Sequence, residues 1–416
     1  MGIEDLHINR DRLLRRLDAL AEIGAIDGGG VCRLALTEED RLGRDQVTAW
    51  MRELGMAVSV DRIGNVVGVR AGRRPGPPVM TGSHIDTVRT GGRYDGTLGV
   101  LAGLEVIEVL NERNLETEHP LAVAYFTNEE GSRFAPDMMG SLVYVGGMSV
   151  EEARATRGID DSTVGECLDA IGYAGEADCG APSVHAFVEL HIEQGPILEQ
   201  KGVTIGAVEQ VQGISWTEFT VAGVSNHAGT TPMPLRHDAG YAAAAIACEV
   251  RNLAMRIGGN QVGTAGALTI APNLVNVVAN RATLTVDLRN TEEERLQRAE
   301  AELAAFVDQL AKNEGVEITS RRLARFQPVE FDAGIVDRVE RAARDLGLSV
   351  RRMPSGAGHD AQMLARVCPA GMVFVPSADG ISHNVREYTE PDHLEAGANV
   401  LLRVLVDLAQ QPVGGG

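Results

Sequence analysis

Between residues 213 and 326 the hydrophobic rhythm of the chain changes, and this change constrains the fold more than any other feature. "ISWTEFTVAGV" alternates as a strand, "RHDAGYAAAAIACEVRNLAMRIG" repeats as a helix, and "VGTAGALTIA" and "VANRATLTVDLRN" are two further strands. "EEERLQRAEAELAAFVDQLAKNEG" is a second helix and "VEITSRRL" a closing strand. The order β-α-β-β-α-β is ferredoxin-like and makes a compact unit on its own. Upstream the pattern is different. An amphipathic helix runs from about Ile8 to Ile23, and "MAVSVDRIGNVVGVRAG" alternates like a hairpin with Gly64-Asn65 near its turn. The strand "PPVMTGSH", the helix "TLGVLAGLEVIEVLNE" and the strand "LAVAYFTNEEG" follow, and the same alternation resumes after about Pro328. Strands alternating with helices predict an α/β fold with a mostly parallel sheet and functional residues at the strand C-termini. The expected organisation is a discontinuous domain, 1–212 and 327–416, interrupted by an inserted domain, 213–326.

Ionisable residues gather at those predicted strand ends. His84 and Asp86 follow "PPVMTGS", with Asp95 eleven residues after His84. Glu129 and Glu130 follow the next strand. In "FVELHIEQGP" alternation puts Glu189, His191 and Glu193 on one strand face, and His383 sits in "SADGISHNVRE". Each alone reads as a structural histidine or a solvated turn. Together they sit where a parallel sheet converges on one rim, and charged groups there are costly unless something pairs with them. Imidazole and carboxylate suit zinc, manganese, cobalt or nickel, and the absence of nearby thiolates argues against a structural zinc knuckle. Five such ligands can hold two metals about 3.5–4 Å apart if one carboxylate bridges, an arrangement suited to metal-assisted hydrolysis. Asp86, two residues from His84 on the same strand face, suits a carboxylate that orients the imidazole.

The formal net charge of −20 disfavours nucleic acid or an anionic membrane as a partner, since both need a basic face. The apolar run around "AGYAAAAIACEV" is too short to span a bilayer. "MGIEDLHINRDRLLRRL" has no apolar h-region, so no signal peptide is expected. Five scattered cysteines without a CxxC pair read as free thiols of a reducing compartment, the cytoplasm.

The stretches "SHIDTVRTGGRYDG", "TNEEGSRF", "ELHIEQG", "NHAGTTPM" and "ISHNVREYTEPDHL" resemble those of the M20-type metallo-amidases, in the N-carbamoyl-L-amino-acid hydrolase and allantoate amidohydrolase branch. The resemblance covers nearly the whole chain. It implies an α/β dinuclear metallohydrolase domain with an inserted lid and dimerisation domain, and hence a homodimer. It implies that Asp95 bridges two divalent ions, that His84 and His191 complete one site, and that Glu130 and His383 complete the other. Glu129 is then the general base. The wider peptidase and deacylase family usually has a carboxylate where this chain has His191. That difference, with Gln194 three residues on, favours the carbamoyl-hydrolase branch and assigns Gln194 to substrate binding.

The same resemblance gives roles to the insertion. His227 in "GVSNHAGTTPM" would polarise the substrate carbonyl, within its own chain or across a dimer interface. Asn276 would contact substrate, and Arg289 would clamp its carboxylate, for which a bidentate fork is suited. "SVRRMPSGAGHDAQMLARV" has the GxGxxA spacing of a dinucleotide fingerprint, but its helix is short and hydride transfer would leave the metal ligands unused. Its Gly356–Gly358 loop is read instead as lining the substrate pocket with backbone N–H groups, Gly358 included, with His359 and Asp360 packed or capping behind. The expected activity is hydrolysis of an N-carbamoyl-L-amino acid to the amino acid, carbon dioxide and ammonia. Allantoate and 3-ureidopropionate share the ureido group and carboxylate and stay open. A peptidase, a deacylase or a non-catalytic metal-binding scaffold fits the residues less well.

Overall fold

The computed structural model describes residues 5–180 and 183–411. Among them the strands are β1 (Ala57–Val60), β2 (Val66–Arg70), β3 (Val79–His84), β4 (Leu121–Phe126), β5 (Ala186–Ile192), β6 (Ile205–Val211), β7 (Gly213–Ala222), β8 (Val262–Ala271), β9 (Arg281–Asn290), β10 (Glu317–Phe326), β11 (Val329–Glu330), β12 (Val350–Ser355) and β13 (Ala370–Val375). The chain divides into two compact units, Met1–Glu209 with Glu330–Gly416, and Gln210–Val329. The second is slightly wider than the insertion expected at 213–326.

In the first unit the sheet runs β1-β2-β4-β3-β5-β13-β6-β11, with β12 also paired to β6. The middle is parallel: β4 with β3, β3 with β5, β5 with β13. The pairings β1 with β2, β2 with β4 and β13 with β6 are antiparallel. Every residue of β3, β4, β5 and β13 is buried, as strands covered on both faces must be, which is why "LAVAYF" and "AGMVFV" are unbroken apolar runs. The helix Thr97–Glu112 connects β3 to the adjacent parallel β4 and packs on β3, β5 and the C-terminal helix Pro391–Ala409. Its one fully buried charge, Glu105, is gripped by both nitrogens of the Arg12 fork at 2.7 Å. The parallel register brings the carboxyl ends of β3, β4, β5 and β13 to one edge, the usual site edge of an open α/β sheet.

The first helix is Arg10–Ala21, capped by Asn9, a little shorter than the periodicity suggested. Three short helices, Met139–Tyr144, Val150–Ala155 and Val164–Ile171, occupy a stretch without clear periodicity. Capping boxes do announce two of them, Ser149 with Glu152 and Thr163 with Glu166.

The second unit is an antiparallel sheet in the order β10-β7-β9-β8, with the helices Ala239–Ile257 and Glu293–Glu314. Ile246, Val250 and Leu253 of one helix and Leu296, Leu303 and Val307 of the other share a core with Leu284, Val286 and Leu288 of β9. That order of four strands is the ferredoxin-like one. The edge strand β8 is exposed along nearly its whole length, with Val262, Leu268 and Ile270 open to solvent.

Candidate metal centre

His84 ends β3, and its Nδ1 lies 2.9 Å from the carbonyl oxygen of Asp86. His191, near the end of β5, has its Nδ1 2.8 Å from the carbonyl oxygen of Ile192. A carbonyl only accepts, so both Nδ1 atoms carry the proton and both rings present the Nε2 lone pair to the site. The Gly96 N–H donates to the Nε2 of His191 at 3.2 Å, in keeping with that tautomer. Gly96 itself has φ +67°, and a Cβ there would lie 2.4 Å from His84 Nε2. Only glycine allows the turn from Asp95 into the helix to pass over the ring.

Asp95 stands at the centre. Its Oδ1 lies 3.5 Å from His84 Nε2 and 3.2 Å from His191 Nε2. Its Oδ2 lies 3.4 Å from His383 Nε2, which is also 3.2 Å from Glu130 Oε2. The carboxylate therefore belongs to two donor sets at once, His84–Asp95–His191 and Asp95–Glu130–His383. The Nε2 lone pairs of His84 and His191 facing a carboxylate oxygen at these distances suit a cation among them. The donors, three imidazoles and two carboxylates without a thiolate, fit two divalent ions sharing Asp95.

Glu129 is in neither set. Its Oε2 lies 3.4 Å from His84 Nε2. Burial, helped by the negative charges of Asp360, Glu130 and Asp86 and opposed by His84, pushes it well above an ordinary carboxyl. A buried carboxylate made more basic is a candidate for proton transfer.

Asp86 corrects one expectation. The group that orients His84 is the backbone carbonyl of Asp86, not its carboxylate. The carboxylate turns instead to the backbone N–H groups of Glu129, at 3.2 Å, and Glu130, at 3.3 Å. It thus holds the turn that carries both glutamates. Of the alternating face of β5, only His191 enters the two sets. Glu189 accepts from Ser83 Oγ and the Ala361 N–H, and Glu193 caps the helix Ile197–Lys201 through the N–H groups of Ile197 and Leu198.

Gln194 has φ +57°, and its Nε2 donates to Asp95 Oδ2 at 2.9 Å. Its Oε1 is buried without a hydrogen-bond donor among the described residues. Gly358 packs on Met138, whose Cε a Cβ would approach to 2.8 Å. The next residue, His359, is closer to the centre than the sequence suggested. Its ring packs edge-on against His191 at 4.6 Å, and Glu189, His191 and His359 form a third cluster of donors. Only the position of "GHD" at a strand-to-helix turn hinted at this.

His227, Asn276 and Arg289 lie in the second unit. The loops of the first two are neighbours, since the Ala228 N–H donates to the Asn276 carbonyl at 3.0 Å. His227 is exposed, and its Nδ1 accepts from the N–H groups of Gly229 and Thr230 at 3.0 and 3.2 Å, which leaves the proton on Nε2, a donor. Arg289 lies over the Trp216 ring and pairs with Asp287 at 2.9 Å.

Residues 80–407 match the family model "Peptidase family M20/M25/M40". The chain is 39% identical to an N-carbamoyl-L-amino-acid amidohydrolase of Rhizobium meliloti, over 98% of each chain. It is also 39% identical to an N-carbamoyl-L-amino acid amidohydrolase of Geobacillus stearothermophilus, over 97% of this chain and 99% of that one. A crystal structure of an amidase of the hydantoinase/carbamoylase family from Burkholderia multivorans superimposes with a TM-score of 0.93 at 46% identity, covering 98% of this chain and all of the other.

Proposed function

Because this chain belongs to the peptidase family M20/M25/M40, we propose that it is an amidohydrolase that cleaves the carbamoyl C–N bond of N-carbamoyl-L-amino acids. The observation that carries the hydrolytic reading is the Asp95 carboxylate shared between two imidazole-containing donor sets, with Glu129 beside them in neither. Similarity along almost the whole chain to carbamoyl-amino-acid amidohydrolases supports the substrate class.

In this reading His84, His191 and Asp95 would hold one divalent ion, and Asp95, Glu130 and His383 the other, zinc, manganese, cobalt or nickel. When bound, such ions polarise a carbonyl and make water more acidic. Glu129 takes a proton from the attacking water at its carboxylate and returns it to the leaving nitrogen. Asp86 keeps Glu129 in place through its backbone N–H. Gln194 Oε1, buried without a donor among the described residues, accepts a ureido N–H. One ureido acid and one water give the amino acid, carbon dioxide and ammonia.

The second unit serves in this proposal as a lid. The proton on His227 Nε2 suits a donor to the ureido carbonyl oxygen. Asn276 and Arg289 bind the substrate carboxylate, which takes the place of Asp287 on the guanidinium fork. The same unit is the proposed dimerisation surface, since β8 is an edge strand with exposed Val262, Leu268 and Ile270. No helix among the described residues is long and apolar enough to cross a membrane, and the scattered thiols suit the cytoplasm.

The test is ammonia release from a panel of N-carbamoyl-L-amino acids, allantoate and 3-ureidopropionate, before and after chelation and metal return. Turnover of carbamoyl amino acids that falls with chelator and recovers with metal is expected. Preference for allantoate or 3-ureidopropionate would move the assignment within the class, and absence of metal-dependent turnover would overturn it.

A further inference from the structure

Glu387 is a buried carboxylate that the chemistry above does not use. Its Oε1 accepts the backbone N–H of Tyr94 at 3.0 Å and of Asp95 at 3.2 Å. Its Oε2 lies 3.2 Å from Ser382 Oγ, and that hydroxyl donates to Asp95 Oδ2 at 2.9 Å. A Cβ on Gly92 would fall 2.1 Å from the Glu387 carboxyl, so the turn 92–95 is folded directly onto it. One side chain thus grips the turn that carries Asp95 through two amides, and its Oε2 and Asp95 Oδ2 both face the single proton of the Ser382 hydroxyl. It does so from the segment that carries His383, so donors far apart in sequence are tied by one clamp.

We propose that Glu387 is a positioning residue for the metal centre: by holding the Tyr94 and Asp95 amides and Ser382, it sets Asp95 against His383. The inference rests on the two-ion reading of the site. Groups that orient metal ligands typically change affinity by about 10–100-fold when removed. A residue that merely anchors a loop changes stability without changing affinity.

The experiment uses full-length protein stripped of metal, as wild type, Glu387→Ala, Glu387→Gln and Gly92→Ala. Each is titrated with cobalt(II) against a competing chelator and followed by visible absorption, with melting of the metal-free forms in parallel. Glu387→Ala should bind about 10–100-fold more weakly. Gly92→Ala, whose methyl displaces the carboxyl without altering it, should do the same. Glu387→Gln should stay near the wild type, because its carboxamide oxygen still accepts the two N–H groups and its Nε2 can donate to Ser382. Should Glu387→Ala fail to fold, Gly92→Ala decides in its place. Unchanged affinity in Glu387→Ala and Gly92→Ala, with two ions bound by the wild type, overturns this inference alone. Equal loss in Glu387→Gln and Glu387→Ala also overturns it, since the contacts would then not matter. A wild type that takes up fewer than two ions overturns the two-ion reading and this inference with it.

Discussion

Glu129 and Glu130 are adjacent in sequence, yet only Glu130 shares a donor set with Asp95, and Glu129→Gln separates the two roles proposed for them. Glu130 forms one donor set with Asp95 and His383, while Glu129 is in neither set. Replacing the carboxylate of Glu129 by a carboxamide of the same shape leaves every proposed ligand in place. The Asp86 contact is to the Glu129 backbone N–H and survives the substitution. Metal content should therefore stay at the wild-type level. The lost function is proton transfer, and a positioned acid–base group contributes about 10²–10⁴-fold. At 1.36 kcal/mol per decade the barrier rises by about 2.7–5.4 kcal/mol. The assay is ammonia release under saturating carbamoyl amino acid, with metal measured by elemental analysis on the same preparation. Glu130→Gln serves as the contrast and should lose metal together with activity. Glu129→Gln that loses metal in step with turnover, or that keeps kcat within tenfold, would refute the assignment of the base.

Gly96→Ala should weaken metal binding, because its Cβ would lie 2.4 Å from His84 Nε2 and a left-handed φ costs a non-glycine residue about 1–2 kcal/mol; wild-type metal affinity in a folded variant would count against His84 as a ligand. Arg289→Ala should lower kcat/KM by roughly 10- to 150-fold, the worth of a charge-assisted hydrogen bond of about 1.5–3 kcal/mol. The same variant should act on a substrate whose carboxylate is amidated about as the wild type does, and equal losses on both substrates would make Arg289 structural. His227→Ala should lower kcat by about 10²–10³-fold with metal content unchanged, as the loss of one donor to a developing oxyanion does. If the partner subunit delivers that donor, mixing Glu129→Gln and His227→Ala dimers under subunit exchange should restore activity, and no recovery despite proven exchange would mean that His227 acts within its own chain or not at all.

Much of the fold was legible because periodicity is local. The run from "ISWTEFTVAGV" to "VEITSRRL" alternates between periods of two and 3.6, and the four strands do pair as β10-β7-β9-β8. The unbroken apolar runs at β4 and β13 announced strands buried on both faces. The short helices between 139 and 171 were less legible, since they are too short to show a period and their signal lies in caps. At the site the sequence named the residue types and their place at strand ends. It could not say which oxygen of Asp95 faces which imidazole, that a carbonyl rather than a carboxylate steers His84, or that His359 packs against His191. Nor could alternation along β5 tell His191 from Glu189 and Glu193, because three residues on one strand face meet different neighbours. The physical reason is distance along the chain. Helix and strand patterns are set by neighbours a few residues apart, whereas the carboxyl of Glu387 reaches the amide of a residue 292 positions away, and only the assembled sheet brings them within 3.2 Å.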